Sequence, residues 1–322
     1  MDIALVAVGG TIATTRHEGG RTVASLSAGD LLAAAGIGRQ ARVEARDVLR
    51  VASWRLSPQQ MVEVAREVER AAEGSDAVIV THGTSTLEMT AFVTDVLLET
   101  SVPVVFTGAM KRADERGADG PRNLRDSVMV ACSEDSRGRG VLVVFGGSIF
   151  TARGAWKWHK TASKAFLGVD GRVGKVSGDR AVFYRKKEIG ALAKRFSGSV
   201  ETGVSLFKVY PGADGLAVRS CISGGTRGVV VEGFAGSGGV PEDVQKVLQE
   251  AVMGGLPVVL TSRAPAGRLP TAVTGGTGEP LQGIGLISGG GLSTEKALLL
   301  MMLALGDGMD SDGVRRVFEE WG

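Results

Sequence analysis

The 322-residue sequence has two cysteines, three histidines, two tyrosines and nine prolines. Cys132 and Cys221 are too few for a disulfide framework, and both sit in apolar surroundings, so two buried free thiols are expected. No cluster of His, Cys, Asp and Glu has metal-ligand spacing, so neither a metal nor a cofactor is expected. No apolar run reaches membrane-spanning length; Ala297 to Leu305 is too short. An excess of one charge is missing too. The net charge is +2, with Lys and Arg scattered among Asp and Glu, which excludes a nucleic-acid stripe or a membrane-binding tail. Glycine-rich segments such as Gly9-Gly10 and Gly236-Ser237-Gly238-Gly239 fit neither a dinucleotide fingerprint nor a Walker A loop. The chain enters its first apolar segment without a basic region ahead of it, so a soluble, cytoplasmic protein is expected.

What the chain has in quantity is glycine, 48 residues, and hydrophobic residues, 43%. That is ample for a core and more than one average domain. The stretch that organises the rest is Ala4 to Ala13. Its charge-free apolar run reads as a strand buried on both faces. Gly9 and Gly10 end it by letting the backbone turn sharply, and Thr11 then lies at the carboxyl end of the strand. Open α/β sheets bind ligands at that edge. A second buried strand, Ala77 to Thr81, runs into His82-Gly83-Thr84-Ser85. Two strand ends carrying threonines would form one hydroxyl-lined cleft.

Between these landmarks strands and helices alternate, implying parallel sheets with right-handed crossovers. Thr14 to Thr22 has no periodicity and reads as a mobile loop. Ser27 caps a short helix, Val43 to Val51 is a strand, and Ser57-Pro58-Gln59-Gln60 is a capping box. Ser85-Thr86-Leu87-Glu88 reads as a second such box opening a helix to Leu98. Further strands are expected at Val102 to Phe106 and Gly140 to Phe145, with a helix near Pro121 to Cys132 between them. Gly168 to Lys187 reads as polar surface. A second α/β pattern follows. The expected division is an N-terminal domain over 1–187, a linker over 188–203 and a smaller C-terminal domain over 204–322.

Few side chains could carry chemistry. His82 stands beside a strand end, but no spacing supplies it with a nucleophile, and a histidine hydrogen-bonded within the turn is the simpler reading. The strongest remaining constellation is Thr11, Thr84 and a lysine. A threonine hydroxyl is a weak nucleophile until a base activates it, and a lysine neutralised by burial can be that base.

These residues carry a family resemblance. Val8-Gly9-Gly10-Thr11-Ile12-Ala13 and Thr81-His82-Gly83-Thr84 resemble the two signatures of the bacterial L-asparaginases and glutaminase-asparaginases. Pro103 to Met110, Asp119 to Leu124, Gly140 to Phe166 and Val231 to Pro241 resemble further blocks of that family, in order and over nearly the whole chain. The resemblance implies a two-domain asparaginase-like α/β fold, with a large N-terminal parallel-sheet domain. It implies that Thr11 attacks a side-chain amide to give an acyl-enzyme, with Thr84 and Lys157 as the second threonine and lysine. Ser53 would hold the substrate carboxylate. Backbone amides near Thr11 and Thr84 would stabilise the oxyanion, Gly83 would line the substrate site, and the Ala109 carbonyl would receive the leaving amide. The partners implied are a small amide substrate and further copies of the chain. The assembly would be a homodimer or homotetramer with sites at the intimate dimer interface.

Five positions depart from the family pattern. Ser85 stands where the family has an aspartate that holds the substrate ammonium, and Arg21 falls near its loop tyrosine. Trp54 replaces a glutamine, adding an apolar face to the pocket or merely packing in a loop. Gly239 replaces an asparagine. Glu279 falls near the acid donated by the neighbouring subunit. Trp156 and Trp158 flank Lys157, and alternation would pack one and expose the other. The departures leave three readings: hydrolysis of L-asparagine, the same chemistry on an amide without a free α-amino group, or a catalytically silent binding protein.

Overall fold

The structure is a computed structural model that describes residues 1–37, 42–184, 196–236, 238–270 and 281–321. The chain divides into two compact units, Met1–Arg195 and Phe196–Gly322. The boundary lies inside the segment read as a linker, part of which is outside the described residues.

The first unit begins with β1 (Asp2–Gly9), β2 (Thr14–Arg16), β3 (Thr22–Ala24), α1 (Ala28–Ala35) and β4 (Arg42–Val51). Then come α2 (Pro58–Glu73), β5 (Ala77–Thr81), α3 (Leu87–Leu97), β6 (Val104–Thr107) and α4 (Gly120–Ala131). It closes with β7 (Val141–Phe145), β8 (Ser148–Thr151), β9 (Ala155–Lys157), β10 (Phe166–Gly168), β11 (Gly174–Ser177) and β12 (Arg180–Phe183). The main sheet has the order β12-β11-β8-β7-β6-β5-β1-β4. Its core from β7 to β4 is parallel, as the charge-free runs require. From β1, Ile3, Leu5 and Ala7 pack into a core shared with Ala28 and Leu31 of α1 and Leu124 and Val128 of α4. Ala4, Val6 and Val8 alternate with them and are buried as well.

Several expectations change. The sheet is not wholly parallel, because β8, β11 and β12 add an antiparallel edge. Two of those strands occupy the segment read as polar surface. They are only four residues long with one face half-exposed, too short for a hydrophobic period. Thr14 to Thr22 is not a free loop either. It pairs as an antiparallel hairpin, Thr14 with Ala24 through Arg16 with Thr22. The Arg16 amide donates to Asp114 (2.9 Å) and the Ala113 amide to Thr14 (3.2 Å). Both cysteines are free but only half-buried.

The second unit contains β13 (Val204–Lys208), α5 (Leu216–Ser223), β14 (Gly228–Gly233), α6 (Glu242–Met253), β15 (Val258–Ser262), β16 (Ile287–Ser288), α7 (Thr294–Gly306) and α8 (Ser311–Trp321). Its four strands form one parallel sheet in sequence order. Val229 and Val231 pack with Val244 and Leu248 of α6. No described helix is long and apolar enough to cross a membrane.

Candidate active site

Register brings the candidate residues to one edge. β1 pairs with β5 so that Ala7 lies beside Thr81, and β5 with β6 so that Thr81 lies beside Thr107. The turns after these strands, Gly9 to Thr11, His82 to Thr84 and Gly108 to Met110, therefore leave the sheet at the same level, where open α/β sheets bind ligands.

Two glycines lock the first two turns together. Gly10 has φ +87°, and a Cβ built on it would lie 2.2 Å from the Gly83 Cα. A Cβ on Gly83 would lie 2.6 Å from the Ser53 Oγ. Only bare backbone fits there, so Thr11 and Thr84, each the next residue, are held at neighbouring positions. Thr11 opens a short 3-10 turn whose other residues, Ile12 and Ala13, are buried while Thr11 is half-exposed. Among the described residues none hydrogen-bonds its hydroxyl. The Thr14 hydroxyl donates to the Gly10 carbonyl at 2.8 Å and ties the turn down.

Thr84 is buried, and its Oγ1 lies 2.8 Å from the Lys157 Nζ on β9. Lys157 is half-buried, and that burial pushes its ammonium below the ordinary lysine value, while the Glu88 carboxylate opposes the shift. Glu88 was not singled out in the sequence as a site residue. Its Oε1 lies 3.4 Å from the Lys157 amide nitrogen, an interaction between residues 69 apart in sequence. The expected capping box at Ser85 to Glu88 does not form. The helix begins at Leu87 after an uncapped Thr86, because the Glu88 carboxylate faces Lys157 and the Thr86 hydroxyl donates to the Ser53 carbonyl at 2.9 Å. Ser85 is left exposed.

His82 takes the simpler of its two readings. It is fully buried, and its Nδ1 donates to the Gly83 carbonyl at 2.8 Å. Burial holds its imidazole down to about 4, against an ordinary value of 6.5, with the Gly83 bond opposing. Between those two values the unfolded chain binds a proton that the folded chain refuses. His82 thus contributes stability that is complete above about pH 6.5 and is lost as pH falls toward 4, on the order of 3 kcal/mol in all. Denaturant melts of wild type and His82→Gln at pH 7 and pH 4.5 check this. The gap between them should narrow or reverse at the lower pH, and a constant gap would contradict the buried neutral imidazole.

Of the other sequence-selected residues, Ser53 is buried against Gly83. Ala109 is buried in the turn after β6, and a Cβ on neighbouring Gly108 would lie 3.3 Å from the Thr84 Cγ2. Trp54 is 68% exposed beneath the Arg55 guanidinium. Trp156 is half-buried and Trp158, just past the end of β9, is exposed; strand alternation does not separate them, because positions two apart share one face. Arg21 is exposed on the β2–β3 hairpin, where its carbonyl accepts from the His17 amide (2.8 Å). Gly239 lies in the second unit and Glu279 lies outside the described residues. No group of three or more potential metal ligands occurs among the described residues.

Two α/β units, the first built on a largely parallel sheet with a hydroxyl-bearing strand edge backed by a lysine, define a two-domain α/β protein. Residues 2–189 match the family "Asparaginase, N-terminal" and residues 203–318 match "Glutaminase/Asparaginase C-terminal domain". The chain is 33% identical to "Probable L-asparaginase" of Deinococcus radiodurans, over 99% of this chain and 97% of that one. The thermostable L-asparaginase from Thermococcus kodakarensis has a similar structure, with TM-score 0.89 and 31% identity over 99% of this chain and 97% of that one. A probable cytoplasmic L-asparaginase from Campylobacter jejuni is similar at TM-score 0.86 and 29% identity, covering 99% of both chains. The chain belongs to the asparaginase family of amide hydrolases.

Proposed function

We propose that the protein hydrolyses the side-chain amide of L-asparagine to aspartate and ammonia, with Thr11 as nucleophile. The observation that carries this reading is the 2.8 Å Lys157–Thr84 hydrogen bond at the turn packed against Gly10. Attack of the Thr11 hydroxyl on the amide carbon would expel ammonia and leave an ester on Thr11, which water then hydrolyses. Lys157 donates to the Thr84 oxygen in the structure; in its neutral form it would instead accept from the Thr84 hydroxyl and make that oxygen a better proton acceptor. Burial of Lys157 favours that neutral form. Backbone N–H groups beside Thr11 and Gly83 are the oxyanion donors of this reading, preorganised by the glycine contact. Ser53 takes the substrate carboxylate and the Ala109 carbonyl takes the leaving nitrogen. The active assembly is a homodimer or homotetramer, and the cytoplasmic location has support from the Campylobacter relative's description.

Ser85 favours a second reading. No carboxylate stands there to pair with a substrate ammonium, and an ammonium held in a closed site without a partner is costly. An amide without a free α-amino group, such as an N-acylated or peptide-linked asparagine, would not meet that cost.

Ammonia release from L-asparagine and from N-acetyl-L-asparagine tests both. Release from free asparagine supports the first reading, and release from the blocked amide alone supports the second. Ser85→Asp should raise kcat/KM for free asparagine by roughly tenfold, the worth of one charged hydrogen bond. No gain would mean that the missing carboxylate is not what limits the site.

A further inference from the structure

The turn after β6 is held more firmly than its loop position requires, and the residues that hold it were singled out only as part of a family block. Asp119 precedes α4 at its N-cap position but caps none of that helix's amides. Its carboxylate instead accepts from the Met110 amide, at 3.1 and 3.0 Å to its two oxygens, and from the Lys111 amide at 2.9 Å. Asn123, one turn further on, is buried. Its Nδ2 donates to the Gly108 carbonyl at 2.9 Å and approaches Asp119 Oδ2 at 3.4 Å, while its Oδ1 accepts from the Gly146 amide at 3.2 Å. The peptides on both sides of Ala109 are therefore pinned.

The peptide joining Ala109 to Met110 is trans, so its carbonyl points opposite to its N–H. That N–H faces Asp119, and the Ala109 carbonyl consequently faces away from it. The residue is 1% exposed, and none of the described residues donates a hydrogen bond to this carbonyl. A buried acceptor left without a donor is costly, which suits a group that waits for a ligand N–H. Donation of the same peptide's N–H to a carboxylate also polarises the amide and makes its oxygen a stronger acceptor.

We propose that Asp119 and Asn123 are positioning residues that aim and polarise the Ala109 carbonyl as the acceptor for an N–H of the leaving amide nitrogen. The proposal rests on the amide-hydrolase reading above. An N–H of the departing nitrogen donates to Ala109 and fixes the direction of the nitrogen lone pair that must take a proton as the C–N bond breaks. An ester of the same acid has no such N–H and gains nothing from this acceptor.

That difference supplies the test. The kcat/KM values of wild type, Asp119→Asn and Asn123→Ser are compared on L-asparagine and on L-aspartate β-methyl ester, or on their N-acetyl forms if wild type prefers them. Both substrates give the same acyl-enzyme, so the ratio isolates the leaving group. Asp119→Asn keeps the shape but loses the charge. It should cut amide kcat/KM by roughly 10- to 100-fold, the scale of a misplaced reacting group, with ester kcat/KM within about threefold. If Asp119→Asn does not fold, Asp119→Ser must show the same selectivity. Equal losses on amide and ester, or no loss on either, would overturn the positioning role while leaving the hydrolase reading in place. A wild type that released ammonia from no amide would overturn the hydrolase reading itself, and the proposal with it.

Discussion

Thr11→Ala is expected to remove amide hydrolysis, by on the order of 10,000-fold or more, and to leave the fold in place. The first half follows from covalent chemistry: without the hydroxyl no ester can form, and loss of a nucleophile removes the whole pathway it opens rather than one contact. The second half follows from the surroundings. Thr11 is half-exposed and its hydroxyl is bonded by none of the described residues. The turn is held instead by the Gly10 carbonyl, which accepts from the Thr14 hydroxyl and the Ala13 amide. Truncation should therefore cost about 1 kcal/mol or less. Thr11→Ser, which keeps the oxygen, should retain measurable turnover. Ammonia assays beside circular-dichroism melts read both halves. Normal turnover in Thr11→Ala would remove this residue from the mechanism.

The second large effect comes from a residue with no functional group. Gly10→Ala combines two penalties. Its φ of +87° is a conformation that costs an L residue about 1–2 kcal/mol. The added Cβ would also sit 2.2 Å from one backbone atom of Gly83 and 2.5 Å from another, and backbone cannot swing aside as a side chain can. The two strand-end turns must separate, destabilising the protein by about 3 kcal/mol or more and moving Thr11 away from Thr84. Activity should fall with stability. Gly36→Ala is the control: it shares a positive φ, +65°, but its Cβ would meet nothing within 4 Å. It should cost only the backbone penalty. Thermal melts of the two variants separate strain from collision. Equal shifts would mean that the glycine contact does not hold the cleft together.

The fold was legible where local pattern and tertiary need coincide. β1 from Ile3 onward and β5 are charge-free apolar runs, and both are buried on both faces inside the parallel part of the sheet, where such runs belong. The cap at Ser27 and the capping box at Ser57 form as read, and Ser27 proves to be a full box as well, with both reciprocal bonds present at each. The same template failed at Ser85 to Glu88 because partners far along the chain, Ser53 and Lys157, took the Thr86 and Glu88 side chains. The edge strands β8, β11 and β12, each four residues long, were missed because so few residues cannot establish a period.

The candidate site divides along the same line. Thr11 and Thr84 were visible because each follows a glycine at the end of a buried strand. That the two strand ends share one edge was expected from the pattern, but the contact that locks them was not visible, since it depends on two bare backbones 73 positions apart. The Glu88–Lys157 approach and the Asp119–Asn123 clamp are likewise long-range. The one local signal for the clamp is an aspartate at a helix start with an asparagine one turn later, which reads equally well as an ordinary N-cap. Trp54 is a different case. An aromatic beside Ser53 left a pocket face and loop packing both open, and in this chain the ring lies exposed beneath Arg55.

The measurement that bears most directly on the central claim is intact-mass analysis of the enzyme quenched in acid during turnover of L-asparagine or its N-acetyl form, followed by peptide mapping. A covalent acyl adduct on the peptide containing Thr11, absent from Thr11→Ala, is the predicted result. Turnover with the adduct on another residue would contradict it.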